Sequence, residues 1–295
     1  MFIMKILDRN GQEVIVDQGQ NQLLKNLYSH VLGRCVLKVL TLPFVTRLGG
    51  WYMNSSLSKG RIASFIKSQN IDMSQYEEKD YVSYNDFFTR KIKEGKRVID
   101  EDNSHLIAPA DSKLSYYPID DDTILTIKDS HYSMKDLLKS ERLAKDYQGG
   151  VCLIFRLTVD DYHRYCFLDS GTKEEDVYIP GVFHTVNPIA NDYYPIYKQN
   201  ARSYSLLHTD HFDDIVYMEV GAMMVGKICN HQINEFVRGQ EKGYFEFGGS
   251  TIVVLFKKDV VKIDEDIIQN SSYHHETRVL MGEKIGVRYN KEENL

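Results

Sequence analysis

The chain has 295 residues, 42% of them hydrophobic and 12% aromatic, with 20 Tyr and only 6 Pro, which excludes a disordered chain and suits a folded, strand-rich protein. The net charge is −6, yet Asn21 to Ile71 holds seven basic residues (Lys25, Arg34, Lys38, Arg47, Lys59, Arg61, Lys67) and no Asp or Glu, leaving 29 basic against 42 acidic residues elsewhere. A basic, apolar segment on an acidic body implies an anionic partner, and no nucleic acid is expected.

In chain order, residues 2–6 and 13–16 read as a short strand pair turned at Asn10-Gly11. Leu23, Leu24, Leu27, Tyr28, Val31 and Leu32 then recur at helical spacing, and Val36, Leu37 and Leu40 continue the stripe. Pro43 and Gly49-Gly50 punctuate it, and a second helix is expected over Lys59 to Ser68. Such helices suit either a protein core or an anionic lipid surface, with Trp51 and Tyr52 as interfacial anchors or as core. No run is long enough to span a bilayer: the apolar stretch from Val36 to Val45 is interrupted by Lys38 and Pro43. Further helices are expected at Tyr84 to Lys93 and at Leu137 to Asp146, and strands at Cys152 to Leu157, Ile215 to Val220, Tyr244 to Phe247, Ile252 to Phe256 and Val260 to Ile263. The fold class is therefore α+β: N-terminal amphipathic helices, then a mostly antiparallel β core. The expected division is an N-terminal region 1–75 and a β-rich domain 76–295.

The sequence excludes several chemistries. It has no GxxxxGK[ST], no GxGxxG between strand and helix, and no GxSxG elbow. The cysteines (Cys35, Cys152, Cys166, Cys229) form no CxxC pair, and with no visible signal peptide they suit free thiols in a reducing, intracellular setting. His208 and His211, and His274-His275, lack metal-site spacing, so no metal is expected. Three segments are more informative. His163 in "DYHRYCFLDSG" has the surroundings of a general base, though a satisfied structural His fits as well. Asp111 in "APADSKL" sits in a turn, where an Asp commonly bonds its own backbone. "YFEFGGSTIVVLF" reads first as a hairpin with Gly248-Gly249 at its tip. Its second reading is chemical. The Gly249 carbonyl is sterically open, and in a strained turn the Ser250 hydroxyl can attack it.

"KGYFEFGGSTIVVLF" resembles the C-terminal signature of the phosphatidylserine decarboxylases, pyruvoyl-dependent enzymes made as self-cleaving proenzymes. "YNDFFTRKIKEGKRVID", "PADSKL", "DYHRY", "GVFHTVNP" and "VGAMMVGKI" match the family's motifs in order, so the resemblance covers about residues 80 to 257. It implies self-cleavage at Gly249-Ser250, with Ser250 as nucleophile, His163 as base or proton donor and Asp111 as the acid that orients it. The products would be a β chain 1–249 and an α chain 250–295, associated as a heterodimer, and homo-oligomers remain open. Ser250 would become a pyruvoyl group, with no external cofactor. That group would decarboxylate phosphatidylserine to phosphatidylethanolamine and CO₂ through a Schiff base, its ketone serving as electron sink. The resemblance also implies peripheral attachment to the cytoplasmic side of the cell membrane, where the substrate lies. The sequence departs from the family at Cys166, where many relatives have the second His of YHRxH, and at Ser112, where Gly is usual. Cys166 makes His184 the fallback base, and Ser112 carries a cost if its turn needs positive φ. Both departures leave room for a non-processing relative that binds anionic lipid; a third option keeps self-processing but acts on a related serine-headgroup lipid or another amino acid.

Overall fold

The protein is described by a computed structural model at residues 5–14, 30, 43–120, 122, 124–127, 130–181, 200–221, 227–247 and 250–290. The expected helical stripe from Leu23 to Leu40, His184, Gly248 and Gly249 lie outside these residues.

A ten-stranded sheet forms the centre. It runs Ile6–Leu7, Glu276–Val279, Ser112–Pro118, Val151–Leu157, Ser250–Phe256, Asp214–Val220, Arg202–Thr209, Gly171–Lys173 and Glu235–Phe236, with Val177–Ile179 paired to Arg202–Thr209. Its pairings are antiparallel except between Ile6–Leu7 and Glu276–Val279. All seven residues of Ser250–Phe256 are buried. Ile252, Val254 and Phe256 pack on one face with Phe155, Tyr165 and Phe245, while Val253 and Leu255 pack on the other with Met134, Leu137 and Tyr147. A strand covered on both faces has no polar side, which is why this run reads as continuously apolar. The α+β expectation holds.

A three-stranded sheet lies in the order Ile228–Asn230, Glu241–Phe245, Arg164–Cys166. Its strands approach closely at Gly243, where a Cβ would stand 2.5 Å from the Cys229 carbonyl oxygen. The hairpin reading of the glycine segment is overturned here. Glu241–Phe245 pairs with Ile228–Asn230 and Arg164–Cys166, whereas Ser250–Phe256 pairs with Asp214–Val220 and Val151–Leu157. The two apolar runs belong to different sheets.

The helical part differs from its sequence pattern in detail. Gly49-Gly50 do not end a helix but lie within Pro43–Asn54, whose first residue is the proline, a position where the missing N–H costs nothing. A 3₁₀ helix, Ser56–Arg61, leads into the helix Ile62–Ser68. The helix expected over Tyr84 to Lys93 is only Tyr84–Phe88, capped by Ser83 Oγ on the Asp86 amide at 3.1 Å. Beyond it the backbone pairs elsewhere, Glu77 N donating to Lys91 O and Lys93 N to Gln75 O. The expected helix from Leu137 to Asp146 is two, Met134–Leu138 and Glu141–Asp146, separated at Lys139 (φ 55). Met53, Ile62, Tyr81, Tyr84, Phe87 and Phe88 form one apolar cluster, with Phe65 and Phe247 packed on it. The cluster includes residues on both sides of 75/76 and ends beside the glycine segment.

Candidate functional site

Phe247 and Ser250 are fixed by different parts of the molecule. The Phe247 amide donates to Asn85 Oδ1 at 2.8 Å, and its ring meets Tyr84 (4.9 Å between centroids) and Phe88 (5.2 Å) edge-on. Asn85 is itself tied through Nδ2 to Asn54 Oδ1 at 2.9 Å. On the far side Ser250 is the first residue of the central strand, opposite Leu157. Phe247 is thus anchored to a helix and Ser250 to the central sheet.

The Ser250 side chain is wholly buried, and its Oγ has no hydrogen-bond partner among the described residues. In strand alternation it shares a face with Ile252, Val254 and Phe256, the face that packs on Tyr165 and Phe245. His163 is also wholly buried. Its Nδ1 lies 3.0 Å from the Asp161 carbonyl oxygen, which can only accept, so Nδ1 carries the proton and Nε2 offers a lone pair. Nε2 has no partner either. The His163 ring lies over Phe88 at 4.0 Å, and the His163 carbonyl accepts from Phe245 N at 2.9 Å, five residues before Ser250. Burial lowers the imidazole to about 3, the nearby Arg90 charge adds to this, and the Asp161 carbonyl opposes it only in part. His163 is therefore a neutral base at physiological pH.

Asp111 is placed differently. Its carboxylate receives Arg97 Nε at 2.8 Å and Nη2 at 2.5 Å, and the Met281 amide at 2.9 Å. Among the described residues it makes no hydrogen bond to His163. Cys166 is buried, and desolvation pushes its thiol up to about 12, so it cannot act as a thiolate or a base near neutral pH. Ser112 is not among the positive-φ residues, so it carries no strain; its Oγ donates to Ala110 O at 3.1 Å.

Several residues were not singled out from the sequence. Asp161 holds the His163 ring, Asn85 holds Phe247, and Lys113 and Thr158 bind the Asp161 carboxylate. An acid two residues before a His, and a lysine inside a buried strand, were the available signals. A polar cleft of about 270 Å³ opens nearby, lined by Lys79, Arg90, Lys91, Arg164, Glu77 and Asp86 among others. Arg90 also approaches the Asp161 carbonyl at 3.4 Å. No metal-binding cluster of His, Cys, Asp or Glu occurs among the described residues, and none of their helices is long and apolar enough to cross a membrane.

Comparison with known proteins gives the family. The family model for phosphatidylserine decarboxylase matches residues 84–287. The phosphatidylserine decarboxylase proenzyme 2 of Clostridium acetobutylicum is 50% identical over 283 residues, covering 95% of this chain and 97% of that protein. The phosphatidylserine decarboxylase proenzymes of Clostridium tetani and Clostridium novyi are 44% and 40% identical, each over 97% of this chain and at least 99% of their own length. The chain belongs to the phosphatidylserine decarboxylase family.

Proposed function

We propose that the chain is a phosphatidylserine decarboxylase, made as a proenzyme that cuts itself at Gly249-Ser250. The observation that carries the mechanism is a pair of complementary unsatisfied groups. A buried hydroxyl without an acceptor and a buried imidazole lone pair without a donor each cost stability, and their retention calls for an explanation that catalysis supplies. His163 Nε2 takes the Ser250 proton as Oγ attacks the Gly249 carbonyl carbon. The amide then breaks, its nitrogen taking the proton, and an ester joins Gly249 to Ser250. Loss of the Ser250 α-proton expels the Gly249 carboxylate, and water then replaces the nitrogen, which leaves as ammonia. The anchors at Phe247 and Ser250 hold the reacting bond in place.

The residues fit a pyruvoyl group at position 250: the side chain is small, buried and otherwise unbonded among the described residues. When formed, that group supplies the electron sink for decarboxylation. His163, neutral and shielded, holds and returns a proton at Nε2. Asp111 is fixed by the Arg97 guanidinium and the Met281 amide. The polar cleft beside Arg90 suits an anionic headgroup.

Membrane contact is supported by Leu48, Trp51, Leu57 and Val82, which are large, apolar and 55–72% exposed around the helical unit. With the acid-free stretch from Asn21 to Ile71 they describe a surface for peripheral docking on the anionic, cytoplasmic face of the cell membrane. The two cleavage products stay together as a heterodimer.

The test is cleavage itself. Denaturing electrophoresis and intact-mass analysis of the wild type should show fragments 1–249 and 250–295, the second lacking a serine amine. Ser250→Ala should give one full-length chain and no release of labelled CO₂ from phosphatidylserine. A wild type that remains intact would remove the proposal. His163→Gln and a His184 variant, scored separately for cleavage and for CO₂ release, assign the base.

A further inference from the structure

We propose that Lys113 and Asp161 form a positioning pair that selects the Nδ1–H tautomer of His163; this rests on His163 being the base proposed above. A neutral imidazole can carry its proton on either nitrogen, and only the Nδ1–H form leaves Nε2 free to accept from Ser250. The selector is one carbonyl, that of Asp161, at 3.0 Å from Nδ1. Where that carbonyl points depends on the turn from Thr158 to Asp161, closed by Asp161 N on Thr158 O at 2.9 Å.

The Asp161 carboxylate locks this turn from inside and Lys113 locks it from outside. Its Oδ2 accepts from Thr158 N at 2.7 Å and from Thr158 Oγ1 at 2.9 Å. Lys113 Nζ donates to both carboxylate oxygens at 2.7 Å and to Thr158 Oγ1 at 2.5 Å, so all its protons are used. Lys113 comes from the adjacent strand, opposite Arg156, and is not part of the turn. The side chains of Lys113 and Asp161 are only 4% and 8% exposed. A buried pair of this kind is seldom the cheapest way to fill a core, so a geometric task is the better account of it. The turn also begins at Thr158, one residue after Leu157, the strand partner of Ser250. One clamp therefore references both the base and the nucleophile.

The experiment is ¹⁵N NMR of the histidines in full-length protein carrying Ser250→Ala, which keeps the chain uncleaved. The His163 signals are identified by their loss in His163→Gln. The parent should show a protonated Nδ1 and an unprotonated Nε2. In Lys113→Met, and in Asp161→Asn as the gentler variant, both confirmed folded by circular dichroism, the two nitrogens should shift towards averaged values. The same substitutions with Ser250 intact should slow self-cleavage at least tenfold. Lys113→Arg, which keeps the cation, should retain more cleavage than Lys113→Met. A folded Asp161→Asn or Lys113→Met protein in which His163 keeps the parent tautomer overturns the proposal. A changed tautomer with unchanged cleavage upholds the positioning pair and overturns His163 as the base.

Discussion

The burial of His163 makes a prediction about pH that an ordinary histidine would not. An exposed imidazole has a pKa of about 6.5, so at pH 5 only about 3% of it is neutral, and a reaction needing the free base slows about 30-fold between high pH and pH 5. With burial holding His163 near 3, nearly all of it remains neutral at pH 5. Self-cleavage of proenzyme refolded from denaturant should therefore change less than about threefold between pH 7 and pH 5. The same shift costs stability. The unfolded chain takes up a proton near pH 6.5 that the folded chain refuses until about 3. Stability is thus intact above the unfolded value and is lost as pH falls towards the folded one. By linkage the loss attributable to this group is about 2 kcal/mol at pH 5. Urea titrations at pH 7 and pH 5, comparing Ser250→Ala with Ser250→Ala/His163→Gln, isolate it: the first should lose about 2 kcal/mol more than the second. Cleavage that falls away with an apparent pKa of 6 to 7, or equal pH sensitivity in the two chains, refutes the reasoning.

Asn85→Ala removes the acceptor for the Phe247 amide, a bond of about 1 kcal/mol, and should slow cleavage about fivefold or more in a protein whose strands remain folded, as read by cleavage half-time and circular dichroism. Glu276→Gln leaves Arg156 buried opposite a neutral group, since Arg156 Nε and Nη2 both donate to that carboxylate; it should cost about 3 kcal/mol in urea unfolding. Trp51→Ser with Leu57→Ser should weaken sedimentation with phosphatidylserine-containing vesicles at least fivefold while leaving self-cleavage unchanged.

How much was legible depended on whether the signal was local. The runs Cys152 to Leu157, Ile215 to Val220 and Ile252 to Phe256 were visible because a strand buried on both faces is mostly apolar; Arg156 and Glu219 are buried charged exceptions. The partner of each strand was not visible. Gly248-Gly249 between two such runs suggested a hairpin, and nothing local says that Phe245 belongs to one sheet and Ser250 to another. Helix ends failed for a similar reason: the segment after Phe88 gives its backbone bonds to residues 75–77, a tertiary contact that overrides local pattern. At the site, Ser250 and His163 carried their own motifs. Asp161 acts through its main-chain carbonyl, which no side-chain pattern encodes, and Lys113 reads as an exposed charge until the strand's burial is known.

Anchoring in two sheets also bears on how the scission proposed at Gly249-Ser250 would leave the fold in place. In a hairpin, Gly248-Gly249 would join two strands that bond each other, and cutting the turn would leave both in place with little effect on either. Here the strand before the cut is held by Ile228–Asn230 and Arg164–Cys166, and the strand after it by Val151–Leu157 and Asp214–Val220. Each side is anchored in its own sheet, so neither depends on the bond being broken. Residues 250–290 are further bound by Glu276–Val279 beside Ser112–Pro118, by Lys284–Arg288 beside His105–Ile107, and by the Arg156–Glu276 ion pair. The strand that starts at Ser250 is covered on both faces, and its hydrogen bonds run to residues before position 249. Extracting it would expose the apolar run Ile252 to Phe256 and break two ladders, a cost far above that of one peptide bond's conformational constraint. Anchoring in two sheets thus lets the proposed scission free a new terminus without loosening the strand that begins at Ser250.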